Sequence, residues 1–81
     1  MIIDGAQIRA GRAMIGWRQH ELAAAADVHW NTVSTLENLE RLSPAKRRSC
    51  ARALCAIERA LKNEGVLMLS KGAAGVFLAQ N

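Results

Sequence analysis

The sequence has one proline in 81 residues, two cysteines, and no apolar run approaching a membrane span. Each shortage excludes something. A span needs about 18 consecutive apolar residues, and no basic, then apolar, then small-residue leader opens the chain, so a cytosolic protein without membrane attachment is expected. Cys50 and Cys55 lie five apart in a helix-like stretch. That spacing turns their side chains to different sides of a helix, which argues against a mutual disulfide, and they read as reduced core or surface thiols. Neither the C-x4-C spacing nor the H-x8-H spacing of His20 and His29 matches a common zinc pattern, so no metal and no cofactor are expected. A Cys-His pair with no accompanying acid, glycine-rich loop or oxyanion motif argues against an enzyme.

At this length the chain is one domain, and only about 60% of its unfolded surface is buried on folding. The core is thin. The formal charge of +4 favours polyanionic partners, but it is unevenly spread. Up to Leu42, four basic residues (Arg9, Arg12, Arg18, Arg41) face five acids (Asp4, Glu21, Asp27, Glu37, Glu40); from Ser43 onward, seven basic residues face two acids. The positive field therefore centres on Lys46, Arg47, Arg48 and Arg52.

Asp4 is an N-cap candidate for a first helix of about three turns, with Ile8, Gly11, Arg12 and Ile15 on one face and Gly16 ending it. Trp17, at its end, reads as core. A second helix over about 18–26 carries the stripe Leu22, Ala23 and Ala26, with Gln19 and Glu21 pointing elsewhere. After a short break at Asp27 and Val28, a third helix over about 30–38 sends Val33 and Leu36 inward and Trp30, Asn31, Ser34 and Thr35 outward. Ser43 and Pro44 then form a strong helix start: a hydroxyl cap followed by proline in the first turn. The apolar repeat Cys50, Leu54, Ile57 and Leu61 carries a helix over about 44–64, with a kink near Ser49 able to split it, and Gly65 ends it. The tail changes character: apolar runs Val66 to Leu69 and Gly75 to Leu78 flank a glycine-rich turn and read as a β-hairpin or strand pair. The division is thus a helical unit over 1–65 and a short β tail over 66–81.

Two short helices can cross steeply through a tight turn only if the contact side chain is small and the turn residue tolerates an unusual backbone angle. Counting Gln19 as the first position, small Ala23 is fifth, Asp27 ninth, and the inward aliphatics Val33 and Leu36 fifteenth and eighteenth. That is helix-turn-helix spacing. On these residues the segment from Arg12 to Glu37 resembles the Cro and CI repressor-like, or XRE, family of prokaryotic and phage regulators. The resemblance implies a mainly α fold, a lambda repressor-like bundle of four to five helices with a short C-terminal β-hairpin or strand pair. It also implies an ion pair between Arg12 and Glu37 and a phosphate contact from Gln19. Two positions depart from the family pattern: Asp27 stands where glycine is usual, implying a strained turn, and His29 stands where a Ser or Thr cap is usual.

In such a fold the third helix enters the major groove with its N-terminal residues at base edges. Trp30, Asn31, Ser34 and Thr35 are the expected base contacts, Asn31 being able to bond adenine in two places. Arg18, Gln19, Asn38, Arg41, Lys46, Arg47 and Arg48 are the expected phosphate contacts, which position without reading sequence. An ordinary solvated face is the plain alternative for the basic run. Three roles stay open for Trp30: a sugar or methyl contact, a fold-back onto the domain, or an anchor for a protein partner. The tail is apolar on both faces of a strand, and an isolated two-stranded ribbon is marginal in water. A second copy is the expected cover, the plain alternative being a tail folded back on its own domain. A two-fold homodimer would place two such helices about 34 Å apart, on a pseudo-palindromic double-stranded DNA operator. The expectation is a sequence-specific, nucleoid-associated transcriptional regulator acting most simply as a repressor. The rival is a helix-turn-helix scaffold whose Trp30 face binds a protein, for example as an antagonist of another regulator.

Overall fold

Local capping sets the first helix. In the computed structural model, which describes residues 2–69 and 72–79, Asp4 is extended and its Oδ1 accepts from the Gln7 backbone N–H at 2.9 Å, while Gln7 Oε1 accepts back from Asp4 N–H at 3.1 Å. This reciprocal box starts α1 (Gly5–Met14). Gln7 is fully buried, and its Nε2 reaches across the molecule to donate to the Leu69 carbonyl at 2.9 Å. Gly16, at φ +68°, turns the chain after α1.

The second helix, α2 (Gln19–Ala26), buries the expected stripe Leu22, Ala23 and Ala26. It ends at Asp27, which adopts φ 55°, ψ 46°, the left-handed conformation that the turn requires. Val28 N–H then bonds back to the Ala23 carbonyl at 3.0 Å, closing the helix end. The third helix, α3 (Trp30–Glu37), starts on a cap made by His29: its Nδ1 accepts from the Asn31 backbone N–H at 3.1 Å. A ring nitrogen thus accepts where a hydroxyl oxygen usually does. Val33 and Leu36 are buried, as is Glu37.

Ser43 caps the next helix, its hydroxyl accepting from Lys46 N–H at 3.1 Å, with Pro44 in the first turn. This helix is short: α4 (Pro44–Ser49) stops at Cys50, where φ −107°, ψ 14° breaks the run, and α5 (Ala51–Asn63) continues beyond it. At the break the Ser49 hydroxyl donates back to the Lys46 carbonyl at 3.1 Å, a side-chain bond of the kind that bends helices, while that carbonyl also accepts from the Cys50 backbone N–H at 2.9 Å. Along α5, Leu54, Ile57, Ala60 and Leu61 are buried, whereas Cys55 is exposed and Cys50 half-buried; both are free thiols.

Gly65, at φ 90°, leads into an antiparallel pair, β1 (Val66–Met68) and β2 (Val76–Leu78), joined through a 3-10 turn over Gly72–Gly75. Residues 70 and 71 of the glycine-rich turn, and residues 80 and 81 of the expected tail, lie outside the described residues. The register pairs Val66 with Leu78, Leu67 with Phe77 and Met68 with Val76. The protein is thus mainly helical, with five helices and a two-stranded C-terminal sheet among the described residues. One face of the strand pair lies on the chain's own α1 and α5: Val66 and Val76 are buried, and Gly11 of α1 is close enough that a Cβ there would sit 3.0 Å from the Met68 methyl and 3.1 Å from Leu61. Leu67 and Phe77 alternate to the opposite face, and Phe77 is 42% exposed. No helix of the described residues is long and apolar enough to cross a membrane.

Candidate nucleic-acid interface

Burial of Val33, Leu36 and Glu37 fixes the orientation of α3. With those three turned inward, Trp30, Asn31 and Thr35 are exposed and Ser34 is half-buried. Beside them, α3 and α4 enclose a shallow depression of about 250 Å³ lined by Asn31, Thr32, Thr35, Leu36, Lys46 and Cys50. The fold therefore brings two of the expected base-reading residues and one of the expected phosphate-binding residues to a single concavity. Arg47 is half-buried, and Arg48 and Arg18 are exposed. Asn38 belongs to a different hollow, at the far end of α3, shared with Arg9 and Glu40. Arg41 is exposed on the loop that follows.

Beneath the outward face runs a chain of hydrogen bonds anchored on one ion pair. Arg12 grips Glu37 in bidentate fashion, Nε to Oε2 at 2.6 Å and Nη2 to Oε1 at 2.9 Å, and its Nη1 donates to the Trp17 carbonyl at 2.9 Å. The Glu37 side chain is only 1% exposed. The guanidinium holds its proton more firmly than usual, first because it hydrogen-bonds Glu37, with the nearby carboxylate charge adding to this and burial opposing it. Since Glu37 is the sole acid of α3, this pairing leaves the exposed side of the helix without a carboxylate. Arg9 Nη1 adds a clasp from α1, donating to the Glu37 carbonyl at 3.1 Å.

Gln19 extends the chain. Its Nε2 donates to Glu37 Oε1 at 3.0 Å, and its Oε1 accepts from the Trp30 indole N–H at 3.1 Å. The side chain expected to point away from the domain, toward a phosphate, is half-buried and engaged at both ends of its amide. The physical reason is the buried carboxylate, which has acceptor capacity left after Arg12 and draws the nearest donor. His20, at the start of α2, stacks on the Trp30 ring with centroids 4.8 Å apart and planes 19° from parallel. Trp30 is 44% exposed despite both contacts.

Sequence reasoning missed four supporting residues. Gly5 allows the start of α1 to touch the end of α3, since a Cβ there would collide with the Glu37 and Leu36 carbonyl oxygens. Arg9 clasps the same carbonyl, Gln7 ties α1 to the tail, and His20 stacks on Trp30. Only the Asp4–Gln7 spacing carried a legible signal, that of a capping box. Among the described residues, no three His, Cys, Asp or Glu side chains converge as metal ligands. Comparison with family models, with curated proteins and with solved structures finds no significant match to this chain.

Proposed function

We propose that the chain is a sequence-specific DNA-binding transcriptional regulator of the Cro/CI-like helix-turn-helix kind, without enzymatic activity, reading the major groove through α3. The observation that carries this reading is the outward set Trp30, Asn31 and Thr35, next to Lys46, on a helix held from behind by Val33, Leu36 and Glu37. An α-helix fits the major groove, and its N-terminal side chains meet base edges. Asn31 bonds adenine in two places, Thr35 bonds a base or touches a thymine methyl, and Lys46, Arg47 and Arg48 neutralise phosphates alongside. Arg18 and Arg41, both exposed, and Asn38, in the separate hollow at the far end of α3, are the further backbone contacts of this reading. The Gln19 side chain supports the face from within, and its phosphate contact would require breaking one of its two bonds.

A homodimer on a pseudo-palindromic operator completes the proposal, with the open Leu67 and Phe77 face of the strand pair as the contact between copies. Its place of action is the nucleoid, and its mechanism is promoter occlusion, the consequence of seating the protein on an operator. The experiment is a gel shift against fragments of the host genome across a salt series. The expected result is a retarded fragment whose affinity falls steeply with salt, the logarithmic slope growing by about 0.9 per phosphate neutralised.

One observation favours a second reading. The outward side of α3 carries a half-exposed tryptophan and no cation, the composition of a protein-binding hot spot rather than a phosphate grip. In that case the same face binds another regulator as an antagonist, no fragment shifts, and pull-down from host lysate retains a partner that Trp30→Ala loses.

A further inference from the structure

Trp30 opens the recognition helix with its ring half in solvent, yet its single polar atom is engaged. The indole N–H donates to Gln19 Oε1 at 3.1 Å. Gln19 cannot turn its amide round, because its other end donates to Glu37 Oε1, and a carboxylate only accepts while an indole only donates. Glu37 is held in turn by both forks of Arg12. The direction of every bond from Arg12 to Trp30 is therefore fixed by the chemistry at the two ends. His20 stacks against the indole, which resists swinging of the ring. What Trp30 still presents to a ligand is carbon surface alone.

We infer that Trp30 is a specificity-determining residue that reads one thymine in each half-site through its 5-methyl group. The inference rests on the DNA-binding reading above and names part of what that site recognises. In the major groove the base edges display donors, acceptors and one apolar group, the thymine methyl. An indole whose N–H is already bonded gains nothing from a donor or an acceptor. It gains from covering the methyl, and it disfavours the cytosine amine at the same edge, which would lose water without finding a partner. Asn31, the next residue, supplies hydrogen-bond readout. Adjacent side chains at the start of α3 thereby read two different kinds of feature.

The test uses the full chain and duplexes recovered from a randomised DNA library by repeated binding. Each thymine of a recovered duplex is replaced in turn by deoxyuridine, which keeps every hydrogen bond and removes only the methyl. The expected result is one thymine per half-site whose replacement weakens binding about fourfold, the worth of one buried methyl. Trp30→Ala abolishes that sensitivity and leaves the response at other positions unchanged. Gln19→Ala, which unfastens the ring without removing it, diminishes the sensitivity, and thermal melts verify that both variants are folded. Indifference to methyl removal at every position overturns the inference, as does a methyl effect that persists in Trp30→Ala. A library that yields no preferred duplex overturns the DNA-binding reading and this inference together; a preferred duplex without a Trp30-dependent methyl effect overturns this inference alone.

Discussion

Replacing Arg12 with methionine removes the guanidinium and leaves the Glu37 carboxylate, 1% exposed, with one neutral donor from Gln19 where it had three donor contacts. It also strips the Trp17 carbonyl of its Arg12 bond. Breaking a buried pair in this way costs about 3 to 5 kcal/mol. The Arg12 side chain is 19% exposed, so water reaches the vacated space, and the lower end of that range, about 3 kcal/mol, is the expected loss. A chain of this size has roughly 4 to 12 kcal/mol in total, so the variant keeps a fraction of its stability. Urea denaturation of Arg12→Met beside the parent protein measures the loss as a lower midpoint at unchanged slope. The double variant Arg12→Met with Glu37→Met removes the stranded charge as well and should be more stable than Arg12→Met alone. The folded-state guanidinium pKa lies above its ordinary value, so its contribution is fully present below that range. It disappears only as the solution becomes alkaline enough to pass the folded value. The arginine proton therefore introduces no pH dependence of stability from neutral to mildly alkaline solution. A loss below about 1 kcal/mol, the worth of an exposed pair, would refute the reasoning. So would a double variant no better than Arg12→Met.

Substitutions at three further positions probe the frame behind α3. Gly5→Ala drives a methyl into the Glu37 and Leu36 carbonyls, and Gly5 N–H is tied to the Leu39 carbonyl at 2.9 Å, so α1 cannot easily withdraw; a loss of about 3 kcal/mol or more is expected in the same denaturation assay. Asp27→Gly relieves a left-handed residue at φ 55° and should raise stability by up to about 1 kcal/mol, read as a higher melting temperature. His29→Ala removes the acceptor that caps α3 and should cost about 1 kcal/mol, whereas His29→Ser restores a cap and should recover it.

Features encoded within one helical turn were legible in the sequence. The Asp4 and Ser43 caps, the Gly65 stop and the inward stripe of Val33 and Leu36 all depend on neighbours a few residues away, and each is formed. Asp27 was legible as a strained turn because few residues other than glycine tolerate that conformation. The network behind the candidate face was less so. Gly5 looks like a plain helix penalty until α1 and α3 are seen to touch through it. Gln19, at an exposed-looking helix start, turned inward because Glu37, eighteen residues away in sequence, had an acceptor to fill. The His20–Trp30 stack depends on the angle between α2 and α3, which no local pattern sets. His29 stands where a hydroxyl cap is usual, and its ring nitrogen supplies the acceptor instead.

Affinity for a library-selected duplex and for a scrambled duplex, compared between the parent protein, Asn31→Ala and Arg47→Ala, puts the outward face of α3 to the test most directly. The prediction is that Asn31→Ala reduces the preference for the selected duplex by roughly five- to 150-fold, the equivalent of about 1 to 3 kcal/mol. Arg47→Ala should instead weaken both duplexes alike and lower the salt slope by about 0.9. Binding of both duplexes by both variants at parental strength would show that DNA is held elsewhere on the molecule.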